Sequence, residues 1–149
     1  MDEIEFPPDF IEFLRSLNAN GVDYLLVGGF AVAIHGYPRA TADMDVWVAT
    51  AQDNAQRIVS ALRQFGFDVP GLEPDLFVIP DQIIRMGVAP IRIEILTSID
   101  GVEFADCARR AVTHRIGEDR VPVIGLDDLK ANKAASGRNK DLDDLDNLP

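Results

Sequence analysis

One stretch limits the possible folds more than any other. Residues 27–48 read Val-Gly-Gly-Phe-Ala-Val-Ala-Ile-His-Gly-Tyr-Pro-Arg-Ala-Thr-Ala-Asp-Met-Asp-Val-Trp-Val. The order suggests a strand at 24–27, a glycine turn, a short small-residue helix at 30–34, a loop, and a second strand at 43–49. Strand side chains alternate between faces, so Asp43, Asp45 and Trp47 share one face while Met44 and Val46 point the other way. Two neighbouring carboxylates repel each other unless a positive group lies between them. A glycine turn that brings backbone N–H groups near such a pair suggests a phosphate beside a metal ion.

The same Asp-x-Asp spacing recurs at Asp141/Asp143 and Asp144/Asp146. Those pairs fall in a helical segment, where residues two apart do not face each other. Only the first pair sits on a strand downstream of a glycine turn. The later acids read as capping and solvating a helix.

The flanking sequence predicts an α+β chain: a small mixed β-sheet with flanking helices. A helix follows Pro7-Pro8-Asp9, with Phe10, Phe13, Leu14 and Leu17 on one face and Asp9 and Glu12 as a capping-box variant. Thr50 and Asp53 cap a helix to about Gln64, and Gly66 stops it. Residues 67–80 are loop-like, with a short strand at 76–79. Residues 82–87 and 90–96 form two strands around the turn Gly87-Val88-Ala89-Pro90. In the second, Ile91, Ile93 and Ile95 form the buried face, and Arg92 and Glu94 the other. A helix over 102–110, a hairpin of 111–116 and 120–124, and helices over 126–136 and 140–148 complete the chain. No repeat or compositional break divides it, so residues 1–149 are expected to form a single domain.

Charge narrows the function. The net charge is −11, from 25 acidic and 14 basic residues. A broad duplex-binding surface is therefore not expected, although a local basic groove is compatible with this balance. The apolar runs are too short to span a bilayer. The acidic start, Met1-Asp2-Glu3, does not resemble a secretory signal, and the single Cys107 cannot form an internal disulfide. These features predict a cytoplasmic protein without a membrane segment.

Nucleotidyl or phosphoryl transfer explains the Asp43/Asp45 pair. Divalent ions can clamp the attacking and leaving oxygens of an in-line displacement, and Mg²⁺ favours oxygen ligands. A third carboxylate is then wanted. Glu94 fits, a lone acid among isoleucines on a strand that could lie beside 43–49; its alternative is a salt bridge to Arg92 or Arg85. Gly28 and Gly29 would let backbone approach a triphosphate. Arg39 and Thr41 could bind phosphate oxygens, or serve only to pair with an aspartate and bridge a turn. Lys133, in the basic cluster with Lys130, Arg138 and Lys140, reads as a phosphate contact; a solvated helix face is the alternative. His35 reads as a helix-end residue, Cys107 as a small core residue and Trp47 as packing, or else a border to the base.

Gly28-Gly29, a spacer of thirteen residues, Asp43-Met44-Asp45 and a later strand carboxylate together resemble the nucleotidyltransferase superfamily of DNA polymerase beta type. The run Gly-Gly-x-Ala-x-x-x-His-Gly-x-x-Arg-x-Thr-x-Asp-x-Asp is similar to small bacterial proteins related to AbiEii-type nucleotidyltransferase toxins. The tail Arg138-Asn139-Lys140-Asp141-Leu142-Asp143-Asp144-Leu145 is similar to the same group. The resemblance implies a polymerase beta-like nucleotidyltransferase fold, with Asp43, Asp45 and Glu94 holding Mg²⁺ (or Mn²⁺) and Gly28 and Gly29 at the nucleoside triphosphate. It implies transfer of a nucleoside monophosphate to an acceptor hydroxyl on RNA, protein or a small molecule. It also implies a place in a toxin–antitoxin system, with a protein partner. The chain departs from the pattern at Phe30, where serine is frequent, and at Glu94, where aspartate is common. The alternative function is a non-catalytic module that uses the same fold to bind a partner.

Overall fold

The computed structural model describes residues 5–88 and 91–149. The expected turn at 87–90 thus falls partly outside the described residues, as does the side chain of Ile91. The elements are α1 (Pro8–Ala19), β1 (Tyr24–Val27), α2 (Gly28–Ile34), β2 (Asp43–Val48), α3 (Gln52–Phe65), β3 (Ile83–Val88) and β4 (Ile91–Leu96). They continue with α4 (Phe104–Arg109), β5 (Val112–Ile116), β6 (Asp119–Val123), α5 (Leu126–Ser136) and α6 (Asn139–Asn147). This is the expected α+β class.

All six strands join one mixed sheet in the order β3-β4-β2-β1-β6-β5. The β1–β2, β3–β4 and β5–β6 pairs are antiparallel; β2–β4 and β1–β6 are parallel. The parallel β2–β4 pairing is what brings a residue from 91–96 beside the aspartates, because it places Asp45 opposite Glu94. Met44, Val46, Ile93 and Ile95 are buried in a core that includes Phe13, Leu17, Ile58 and Leu62 of α1 and α3. The opposite parity of the same two strands carries the acids.

Three local details differ from the sequence expectation. The Asp9/Glu12 cap does not form: α1 starts at Pro8, and the Pro7 carbonyl accepts from the amides of Phe10 (2.9 Å) and Ile11 (3.2 Å). Proline at the first helical position has the right φ and lacks the N–H that a cap would satisfy. At α3 the N-cap is Ala51, and Asp53 accepts from the next amide, that of Asn54, and from Arg57 one turn on. Asn54 does the tethering instead. It is fully buried, its Oδ1 accepts from Asp23 N, and its Nδ2 donates to the carbonyls of Asp23 and Ala49. The expected strand at 76–79 is a 3-10 turn, Pro74–Phe77, nucleated by Pro74 and anchored by the buried Phe77. The stop at Gly66 is as expected, in the left-handed conformation with φ +113°.

Candidate active site

A cleft of about 680 Å³ opens at the N-terminal end of β2. Its floor comes from β2 and β4, one wall from α2 and the loop before β2, and the other from α5, α6 and β3. Every candidate site residue lines it: Gly28, Gly29, Arg39, Thr41, Asp43, Asp45, Glu94 and Lys133.

Sheet register sets the floor. One row across β3, β4, β2 and β1 reads Arg85, Glu94, Asp45, Val27; the next row holds Arg92 opposite Asp43. Since directly paired strand residues share a face, three acids and two arginines form one patch. The outer acids have partners. Arg92 Nε donates to Asp43 Oδ1 at 2.9 Å, and Arg85 Nε donates to Glu94 Oε1 at 2.9 Å. Asp45 lies between them without one among the described residues, where its buried Oδ1 makes no hydrogen bond. Burial, then the charge and hydrogen-bonding demand of Glu94, then the charge of Asp43 push the Asp45 carboxyl up to about 7. Lys140 opposes that shift from across the cleft.

The glycines make room for these side chains. Gly28 has φ +67°, and a Cβ there would stand 2.9 Å from Asp45 Cγ. A Cβ on Gly29 would stand 2.5 Å from Thr41 Oγ1. Thr41 itself donates to the carbonyl of Asp43 at 3.2 Å, bracing the start of β2. Phe30, at the position where serine is frequent in the resembled group, is buried in the core, stacked on Phe6 at 4.9 Å and edge-on to Phe10 at 5.6 Å. It anchors α2 from below.

The C-terminal helix is the largest departure from the sequence reading. Asp141 and Asp144 are buried at 1% exposure, where a solvated helix face was expected. Lys133 Nζ lies 3.2 Å from Asp141 Oδ1 and 3.1 Å from Asp144 Oδ2. Arg39 grips Asp144 with two contacts, Nε to Oδ1 at 2.7 Å and Nη2 to Oδ2 at 2.8 Å, and Arg138 Nε reaches Asp141 Oδ2 at 2.7 Å. Burial would raise both aspartates; hydrogen bonds from Arg138 and Lys133 to Asp141, and from Arg39 and Lys133 to Asp144, outweigh it and hold them below the usual range. Two acids three residues apart on a helix cannot reveal such burial alone. The signal lies in pairing them with Arg39, 105 residues from Asp144, and with Lys133 on the preceding helix.

The remaining candidates are structural. His35 Nε2 lies 2.6 Å from the Ile124 carbonyl and ties the end of α2 to the end of β6. Trp47 is buried edge-on to Phe104 at 5.1 Å, so it packs the floor. Cys107 is buried near Asp128, and burial first, then that acid, push its thiol up to about 11.

Residues 8–149 match the model of the family described as "nucleotidyl transferase of unknown function" (DUF2204). The chain belongs to this nucleotidyl transferase family. Its fold is similar to the crystal structure of a candidate nucleotidyltransferase from Thermotoga maritima, with a TM-score of 0.60 and 18% identity over 95% of this chain and 93% of the other. No curated protein matches the chain. Among the described residues no helix is long and apolar enough to cross a membrane.

The acid patch fits a hard divalent cation. Its donors are all carboxylate oxygens, and Asp45 holds a buried oxygen without a partner, which a cation would satisfy. Among the described residues no three acids already converge on one point, because Asp43 and Glu94 are turned toward their arginines.

Proposed function

We propose that this nucleotidyl transferase moves a nucleoside monophosphate from a nucleoside triphosphate to a hydroxyl acceptor. Asp43, Asp45 and Glu94 would hold Mg²⁺ or Mn²⁺. The observation that carries this reading is the partnerless Asp45, held opposite Glu94 at the floor of the cleft. When bound, the cation would neutralise charge on the phosphates and lower the pKa of the attacking hydroxyl.

The remaining chemistry belongs to the chain. The acceptor oxygen attacks the α-phosphorus, the bond from that phosphorus to the bridging oxygen breaks, and pyrophosphate leaves with the electron pair. The hydroxyl proton passes to a carboxylate of the patch. Gly28 and Gly29 give the triphosphate a close approach to backbone, and Thr41 lies beside them. Arg39 reaches the same wall with Nη1, its Nε and Nη2 being held by Asp144. Lys133 contributes charge from behind the aspartates it pairs with.

The test is label transfer. The full chain with Mg²⁺ and each α-³²P-labelled nucleoside triphosphate is offered cellular RNA, cell protein and amino-sugar acceptors. Transfer should occur to one class and vanish in the Asp43→Asn/Asp45→Asn variant; equal transfer by that variant sinks the mechanism. The resemblance to toxin relatives adds a readout, growth arrest on expression that the same variant relieves. A partner-binding module is favoured instead by the internal pairing of Lys133, and it predicts no binding of any nucleoside triphosphate even with Mn²⁺.

A further inference from the structure

Arg85 and Arg92 take no part in the reaction as described, yet both lie on the sheet face of the acids. Register places Arg85 directly opposite Glu94, and Arg92 directly opposite Asp43. Each makes one contact, through Nε at 2.9 Å, so the terminal nitrogens of both guanidinium groups stay free of these carboxylates. The arginine side chains are 69% and 48% exposed, whereas Glu94 and Asp43 are 20% and 30% exposed. Ion pairs this open contribute little to stability. Their effect on the patch is larger: they neutralise two of its three acids, and of the three Asp45 alone has no such partner among the described residues.

We propose that Arg85 and Arg92 are internal counterions that compete with the divalent cation for Glu94 and Asp43 and so set the metal affinity of the site. This rests on the metal-holding reading of the three acids. Both arginines are long, flexible and exposed enough to swing away without disturbing the core. Cation entry is then an exchange: two guanidinium groups leave the carboxylates, and Arg85, which lines the cleft, is released at its wall. The metal-free protein avoids a bare cluster of three like charges, and the site becomes selective for ions that bind carboxylates more strongly than a guanidinium does.

Mn²⁺ titration of the full chain tests this, by calorimetry and by the loss of the free-ion paramagnetic signal. Arg85→Gln and Arg92→Gln should each bind Mn²⁺ about twofold to fivefold more tightly than the parent, as removal of a weak competing pair predicts, and the double variant more tightly still. Lys140→Gln removes an equal charge from the cleft wall without removing a carboxylate contact, and should change the affinity less than either. Arg85→Lys and Arg92→Lys, which keep a charge but lose the guanidinium fork, should fall between. Parent-like or weaker binding by both glutamine variants, with Asp45→Asn abolishing it, overturns the counterion role while leaving the metal site standing. An equal gain in Lys140→Gln also overturns it, since general charge would then suffice. Absence of Mn²⁺ binding in the parent and in every variant overturns the metal reading and this proposal together.

Discussion

Gly28 and Asp45 occupy each other's space. A Cβ on Gly28 would stand 2.9 Å from both Cβ and Cγ of Asp45, and closer still to its Oδ2, while the backbone there has φ +67°. Gly28 follows Val27, the direct cross-strand neighbour of Asp45, so the turn into α2 closes over the carboxylate. The glycine is needed by the acid whether or not a phosphate is bound.

Gly28→Ala should therefore destabilise the fold by about 1–3 kcal/mol, from left-handed strain and overlap combined. For a chain of this size that lowers the melting temperature by roughly 2–4 °C per kcal/mol. Asp45→Gly removes the side chain that the new methyl meets. The double variant should thus recover the overlap component and retain the strain. A thermal-denaturation cycle over the four proteins measures the coupling, and strictly additive losses would show that the two residues are not in contention.

The strand parity of Asp43 and Asp45, the third acid Glu94 and the glycine turn were all legible in the sequence, because each follows from local pattern: period-two alternation, a lone acid among isoleucines, a doublet of glycines after an apolar run. What the pattern could not carry was pairing across the chain. Arg39 is 105 residues from Asp144 and Arg92 is 49 from Asp43, so nothing local announces that each arginine is engaged. The role of Asn54 is illegible in the sequence for a related reason. A polar residue in the first turn of a helix ordinarily reads as a cap, and only the antiparallel pairing of β1 and β2, which sets Asp23 beside Ala49 beneath it, turns the side chain inward. By family pattern alone, Phe30 reads as a missing hydroxyl. In the fold it faces Phe6 and Phe10, on the side of α2 away from the cleft.

Lys133 joins α5 to α6 from a site only 4% exposed, between two aspartates that are themselves at 1%. Removing one member of a buried charge cluster leaves the others uncompensated, which typically costs about 3–5 kcal/mol. Lys133→Met should accordingly detach α6 and lower the melting temperature far more than Lys130→Met, a change on the same helix at a less buried position. Hydrogen exchange should show the loss of protection concentrated in residues 139–147. A loss spread evenly over the chain would contradict the anchoring role. The acid limb follows from the same cluster. Asp141 and Asp144 are held below 3.8, so their contribution is complete above that pH and is lost as the pH falls through their folded values.

Cys107 should be chemically silent in the folded protein. Its thiol is buried at 0% exposure and pushed up to about 11, so almost none is thiolate near neutral pH. Native protein treated with a thiol-reactive disulfide should label slowly, at a rate governed by opening of α4, and at once in denaturant. Arg110→Ala should hasten labelling, because Arg110 pins Asp128 with two contacts of 2.8 and 3.0 Å beside the cysteine. Rapid labelling of the parent would place the thiol at the surface and refute the packing described for α4.

Asp45 makes the stability of the cation-free protein depend on pH in an unusual direction for a carboxylate. Its folded value is raised from 3.8 to about 7, so the unfolded chain releases the proton first as pH rises. Between those values the folded state binds more protons than the unfolded one, and stability falls with rising pH. Above about 7 the loss is complete and constant; below 3.8 both states hold the proton and the residue contributes no pH dependence. Asp45→Asn removes the ionisable group and keeps the shape. With a chelator present, the variant should melt at the same temperature as the parent near the acid end. It should melt progressively higher across the interval, with a plateau once the parent carboxyl is ionised. Adding Mn²⁺ at the alkaline end should raise the parent and leave the variant nearly unmoved, closing the gap. A variant that melts lower than the parent at every pH would mean that Asp45 is satisfied within the fold, and the buried Oδ1 would then have no bearing on cation binding.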